Sequence, residues 1–111
     1  MRMELIVDRE IDDGRFVVTN NSRIDIPIGS VFSALFSRTG KLINGEIKDR
    51  QESSVTTIDL VVTEVEFWRK AHACVPYGHH ASIQVTGKSV HLLQAAVRSK
   101  PEGWQVFIGA E

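Results

Sequence analysis

Short runs of β-branched and aromatic residues recur along this chain, and Gly, Pro, Asn, Asp and Ser separate them. Such punctuation is typical of an all-β domain. In residues 55–65, Ile58, Leu60 and Val62 recur at the period of two that indicates a half-buried strand. Further strands are predicted over residues 3–7, 16–19, 31–37, 80–86 and 104–108. In residues 80–86, Ile83 and Val85 are predicted to face inward.

Residues 89–99 fit two patterns equally well. The helical face would be Val90, Leu93 and Val97, and the strand face would be His91, Leu93, Ala95 and Val97. We favour a strand, because residues 100–103 (Lys-Pro-Glu-Gly) make a good turn and the following run is clearly β. The two runs would then form a hairpin.

Residues 38–54 are mostly polar and include Gly40 and Gly45. The composition predicts a long hairpin loop that is mobile or projects from the domain, and loops of this length are often functional. Its apolar side chains, Leu42, Ile43 and Ile47, are expected to stay out of the main core. Its role is left open.

Large apolar side chains occupy both faces of residues 31–37. A strand of this kind suits a covered wall or an interface. Together with the other aromatic residues, it exceeds what one small β-barrel interior needs, so we predict a contact surface of Phe32, Phe36 and Phe67 for a homodimer or a protein partner. The alternative is that these side chains cover the ends of the barrel.

Length and composition indicate one domain over residues 1–111. With 42% hydrophobic residues, the chain can bury a core without metals or disulfides. It has 13 basic and 14 acidic residues, and the formal net charge of −1 supplies no long-range attraction for nucleic acid. Cys74 is the only cysteine, which excludes an intrachain disulfide. Without a signal peptide or an apolar stretch of about 20 residues, a soluble, cytoplasmic protein with no membrane contact is expected.

Four segments follow one another in an order that matches a known family of β-barrels. They are residues 16–20 (Phe-Val-Val-Thr-Asn), 29–32 (Gly-Ser-Val-Phe), 62–70 (Val-Thr-Glu-Val-Glu-Phe-Trp-Arg-Lys) and 77–87 (Tyr-Gly-His-His-Ala-Ser-Ile-Gln-Val-Thr-Gly). Together they resemble the second domain of the elongation factor Tu family of translational GTPases, over about two thirds of the chain. Glu64 and Ser82 stand where that family has glycines. The resemblance implies a small closed β-barrel that stands alone.

The resemblance also implies a binding face. In the family, the glutamate at the position of Glu66 lies near the terminal adenosine of tRNA. A nucleoside or RNA-end pocket would use this residue with Arg69 and Lys70, an aromatic ring such as Trp68 for stacking, and His80. The simpler interpretation is a solvated strand end followed by an exposed turn. The two candidate functions are therefore a non-catalytic protein-binding or homo-oligomeric module and an RNA-binding accessory of translation.

Catalysis, metal binding and nucleotide binding are not predicted. The chain has no Gly-x4-Gly-Lys-Ser/Thr loop for a nucleoside triphosphate. His72, Cys74, His79 and His80 fall close together, but they lack the paired spacing of zinc ligands. No orienting group accompanies Cys74 as a nucleophile. We therefore expect no enzyme activity, no cofactor and no metal.

Overall fold

A computed structural model describes the backbone of residues 1–111 and all side chains except those of residues 41–43 and 47–48. The chain is mostly β, with one short helix. The elements are β1 (Met3–Asp12), β2 (Arg15–Asn20), β3 (Ile26–Pro27), β4 (Val31–Ile43), β5 (Glu46–Glu52), β6 (Thr56–Phe67), β7 (Lys70–His72), β8 (Cys74–Val75), β9 (His80–Thr86), α1 (Val90–Ser99) and β10 (Trp104–Ala110).

Six of the strands form a ring. Their order is β4–β10–β1–β2–β9–β6, and β6 pairs in turn with β4, so that the order returns to its start. Every pair is antiparallel. β5 extends outward from β4, β7 extends from β6, and β3 pairs with β8 in a separate two-stranded sheet. The prediction of a mostly β domain is confirmed.

The core lies inside this ring. The five inward positions predicted from strand alternation are all buried, with at most 5% of each side chain exposed: Ile58, Leu60, Val62, Ile83 and Val85. Leu93 and Val97 of α1 join the same hydrophobic cluster. The helix therefore packs its apolar face against the ring. Within the described part of the chain, no helix is long and apolar enough to cross a membrane.

The strand predicted over residues 89–99 is wrong, because Val90–Ser99 is a helix. Most of its residues are good helix formers, including Leu92, Gln94 and Ala95. The helical face predicted as the alternative is the one that packs, since Leu93 is fully buried. Alternation in a ten-residue segment could not separate the two patterns, and tertiary packing decided between them.

The hairpin predicted over residues 38–54 is present, but it consists of paired strands where a long loop was expected. β4 continues to Ile43 and β5 returns from Glu46, joined by a two-residue turn at Asn44 and Gly45. Both turn residues have positive φ (51° and 79°), as expected for the Asn-Gly turns that two-residue hairpins favour. The segment is thus a regular β-hairpin. The predictions for Leu42, Ile43 and Ile47 lie outside the described side chains.

Two of the three predicted interface aromatics are buried in the chain itself. Phe32 is fully enclosed in the ring interior, and Phe36 is only 3% exposed on the other side of β4. There Phe36 stacks on Phe107, with ring centroids 5.4 Å apart, and the Arg38 guanidinium carbon lies 4.8 Å from both ring centroids. Because the chain covers both faces of this strand, the expectation of an exposed Phe32 and Phe36 surface is wrong.

Candidate functional site

The hairpin that joins β6 to β7 has an unusual turn. Phe67 pairs with Lys70, and the two residues between them are Trp68 and Arg69, both with positive φ (53° and 61°). This conformation suits Asn-Gly, because a larger side chain in the left-handed region costs about 1–2 kcal/mol. Strain of this kind clusters at functional sites. We call residues 66–70 the β6–β7 tip.

Trp68 is the most exposed large hydrophobic residue among the described side chains, with 79% of its surface in solvent. Its ring meets the edge of Phe67 at a centroid distance of 5.4 Å. Phe67 is half-buried against the main core. Its ring stacks on the His72 ring, with the two centroids 3.5 Å apart. The His72 Nε2 donates a hydrogen bond to the Phe67 carbonyl at 3.1 Å. The exposed indole therefore packs against a phenylalanine that His72 and the core hold in place.

A shallow concavity of about 390 Å³ opens beside Trp68. It is lined by Val17, Glu66, Phe67, Trp68, Arg69, His80, Ala81 and Ser82. Pairing in the ring explains this convergence, because Ser82 of β9 lies between Val17 of β2 and Glu66 of β6. Four of the five predicted binding residues meet here. The fifth, Lys70, begins β7 next to the concavity but does not line it.

Hydrogen bonds hold the side chains of the β9 wall of the concavity, whereas the charged side chains of the β6–β7 tip have fewer such contacts among the described residues. His80 Nδ1 lies 2.7 Å from the Thr19 hydroxyl. The Ser82 hydroxyl donates to the Glu66 carbonyl at 3.4 Å. By contrast, no ion pair of Glu66, Arg69 or Lys70 occurs among the described side chains. All three are exposed, so their charges face solvent.

A second depression of about 280 Å³ shares Glu66 with the first. Its lining includes Ile28, Ala71 and His72, with Glu64 and Arg15. The last two form an ion pair with each other. Glu66 is exposed and lines both depressions.

Sequence reasoning missed the floor of the first concavity. Val17 and Ser82 are outward-facing positions of β2 and β9, and nothing in their local sequence distinguishes them from other strand residues. Only the pairing of β2 with β9 and of β9 with β6 brings them to the β6–β7 tip. The alternation of each strand indicates which residues face outward, but not which strands are neighbours.

The histidines and the cysteine near the tip have separate surroundings. His72 stacks on Phe67 and His80 contacts Thr19. Cys74 is a half-buried free thiol in β8. Among the side chains that the structure describes, no group of three or more His, Cys, Asp or Glu residues is arranged to hold a metal ion.

Comparisons with protein-family models, with curated proteins and with solved structures found no match to this chain. The candidate site is therefore interpreted from its own geometry.

Proposed function

We propose that this chain is a non-catalytic interaction module that binds a protein partner through the β6–β7 tip. In this proposal it acts in the cytoplasm, and its six-stranded ring is a closed β-barrel similar to the second domain of the elongation factor Tu family. The single observation that carries the proposal is the exposed Trp68 at the apex of a strained turn.

Two physical arguments support a binding role for this tip. Tryptophan and arginine are the residues that most often dominate the binding energy of protein interfaces. Here Trp68 and Arg69 are adjacent and exposed, and both have a positive φ that their side chains disfavour. Asn-Gly at these two positions would make the same turn with less strain. A contact outside the chain accounts for retaining the costlier pair.

Site-specific photo-crosslinking tests the proposal. Benzoylphenylalanine replaces Trp68 in one variant and, as controls, the exposed apolar residues Val55 and Leu92 in two others. Val55 precedes β6 at the end opposite the tip, and Leu92 lies on α1. In cells that express the chain naturally, we expect a protein adduct from position 68 only. Equal adducts from all three positions, or none from position 68, would contradict the proposal.

A homo-oligomer is a distinct outcome of the same experiment. An adduct of twice the mass of the chain would identify a second copy as the partner. Since Phe32 and Phe36 are buried, we expect such a dimer to use the β6–β7 tip, where Trp68 is the most exposed large apolar residue of the described side chains and Phe67 is half-buried. Sedimentation at micromolar concentration would then show a dimer that the Trp68→Ala variant lacks.

One observation favours RNA-end binding as a second candidate function. Glu66, Arg69 and His80 surround the same concavity as Trp68, and this arrangement could hold a stacked base between polar groups. The crosslink from position 68 would then be sensitive to ribonuclease. A labelled tRNA should also bind with an affinity that falls as salt rises. Absence of binding at low salt would remove this candidate.

A further inference from the structure

Within the part of the chain that the structure describes, the β6–β7 tip places two cations without ion pairs side by side. Elsewhere, the arginines of several strands and of α1 are paired with acids, as in Arg38 with Glu4 at 2.6 Å and Arg98 with Glu10 at 2.9 Å. Arg69 and Lys70 are consecutive, exposed and without an ion pair among the described side chains. Against these two cations the tip has one acid, Glu66. The tip is therefore locally positive on a chain of net charge −1.

We infer that the partner contacts the tip with an acidic protein segment, in which Asp or Glu residues flank an apolar or aromatic side chain. This inference rests on the proposed function and specifies its partner. The apolar residue would pack on the Trp68 indole, which is free on the side away from its edge contact with Phe67. A carboxylate would pair with Arg69 in the two-pronged geometry that a guanidinium favours.

Position along the hairpin indicates an extended segment. Arg69 lines the concavity, whereas Lys70 lies outside it at the start of β7. A ligand confined to the concavity would leave Lys70 unused. A segment that crosses the tip can place one carboxylate near each cation, with the apolar residue between them.

Glu66 favours a peptide over a nucleic acid. Its carboxylate is an acceptor on an exposed residue that lines both depressions. A peptide backbone offers an N–H donor at nearly every residue, and an acidic segment can place its few carboxylates beside the two cations and away from Glu66. A nucleic acid carries a negative charge at every nucleotide, so repulsion from Glu66 is harder to avoid. With only two unpaired cations at the tip, counterion release supplies little affinity for a polyanion.

Fluorescence anisotropy with two peptide pools tests the inference. The acidic pool contains labelled twelve-residue peptides of Asp, Glu, Leu, Phe and Gly, and the amide pool replaces Asp and Glu with Asn and Gln. A labelled twelve-nucleotide single-stranded RNA is the third probe. The full chain should bind the acidic pool about tenfold or more tightly than the amide pool at 20 mM salt, and this preference should shrink at 200 mM salt as charges are screened.

Matched variants separate the tip from general electrostatics. R69E/K70E should weaken binding of the acidic pool about tenfold or more, and Trp68→Ala should weaken binding of both pools. The control K88E/R50E changes net charge equally at two exposed residues outside the tip, and it should bind like the unaltered chain. Circular dichroism establishes that each variant is folded.

Several results would overturn the inference. They are equal binding of both pools, equal losses in R69E/K70E and K88E/R50E, binding of RNA alone, or no binding of any probe at 20 mM salt. A protein crosslink from position 68 together with no binding of the acidic pool would reject the acidic segment while leaving the proposed function intact. Loss of both signals would reject both.

Discussion

Two hairpin turns in this molecule have positive φ at both central residues, but the residues themselves are very different. The turn between β4 and β5 uses Asn44 and Gly45, with φ of 51° and 79°; the turn between β6 and β7 uses Trp68 and Arg69, with φ of 53° and 61°. The first pair is the one that this turn favours. The second pair tolerates strain and exposes an indole. The first turn is therefore explained by local backbone preference, whereas the second is not, and it is the turn at which we propose a partner contact.

Two aromatic pairs outside the ring interior show the same contrast. Phe36 and Phe107 lie beneath Arg38, whose guanidinium also binds the buried Glu4. The chain thus covers this pair with its own charge. Phe67 and Trp68 form an edge contact with the same centroid distance of 5.4 Å, but 79% of Trp68 stays exposed among the described side chains. The covered pair stabilises the wall, and the open pair is available to a partner.

The largest difference in stability between the β4 wall of the ring and the β6–β7 tip should appear when an aromatic side chain is removed from each. Phe32→Ala removes a fully buried ring and should lower the free energy of unfolding by about 3–5 kcal/mol. Trp68→Ala should change it by less than about 1 kcal/mol, because the indole is mostly in solvent. Urea unfolding measures both. A loss at Trp68 as large as that at Phe32 would mean that the tip is part of the core.

Placing the residues of the β6–β7 turn in the β4–β5 turn tests whether the Trp-Arg pair is costly in such a turn. N44W/G45R places the strained pair in the β4–β5 turn, and it should lower the free energy of unfolding by about 2 kcal/mol through left-handed backbone strain. Thermal unfolding of the variant measures this loss. If stability is unchanged, positive φ is not costly in these hairpins, and the argument from strain fails.

The paired charges between β1 and α1 should have a smaller effect on stability, and they contrast with the charges of the tip, which have no ion pair among the described side chains. Glu10 accepts hydrogen bonds from Gln94 at 2.6 Å, from Gly14 N at 3.2 Å and from Arg98 at 2.9 Å. The Gln94 hydrogen bond is the largest of the causes that lower the pKa of Glu10 from its ordinary value of 4.5. Stability from this group is therefore present above pH 4.5 and is lost as pH falls through the lowered pKa.

Glu10→Gln should cost about 1 kcal/mol at pH 7, since it removes hydrogen bonds to a charged acceptor. The deficit should shrink as pH falls from 4.5 through the lowered pKa of Glu10, where the carboxyl of the folded chain becomes protonated. Glu66→Gln, at the unpaired acid of the tip, should change stability by less than about 0.5 kcal/mol at either pH. Unfolding measured at pH 7 and pH 3.5 decides the matter. A pH-independent deficit for Glu10→Gln would show that its charge has no role.

The regular strands were predictable because burial on one side imposes a period of two. Ile58, Leu60 and Val62 show it in β6. Segments without that constraint were misassigned. β5 is largely polar and therefore shows no apolar period, although its Asn44-Gly45 turn is a hairpin signal in the sequence. In α1, both periods were present, and only docking against the ring resolved them.

The site was predictable where it is contiguous in sequence. Glu66, Trp68 and Arg69 occupy one hairpin, so local reasoning could group them. Val17 and Ser82 required the order of strands in the ring, which one-dimensional patterns do not contain. The burial of Phe36 was equally hidden, because it depends on Arg38 and Phe107 covering the strand from outside.

The claim that the β6–β7 turn is maintained at a cost in stability is tested most directly by calorimetry of W68N/R69G. This variant relieves the strain at two positions but loses the edge contact with Phe67, which is worth about 0.5–1.5 kcal/mol. We predict a net gain of about 1 kcal/mol, which corresponds to a rise in Tm of about 4 °C for a domain of this size. An unchanged or lower Tm would contradict the account, because it would show that Trp68 and Arg69 do not lower the stability of the fold.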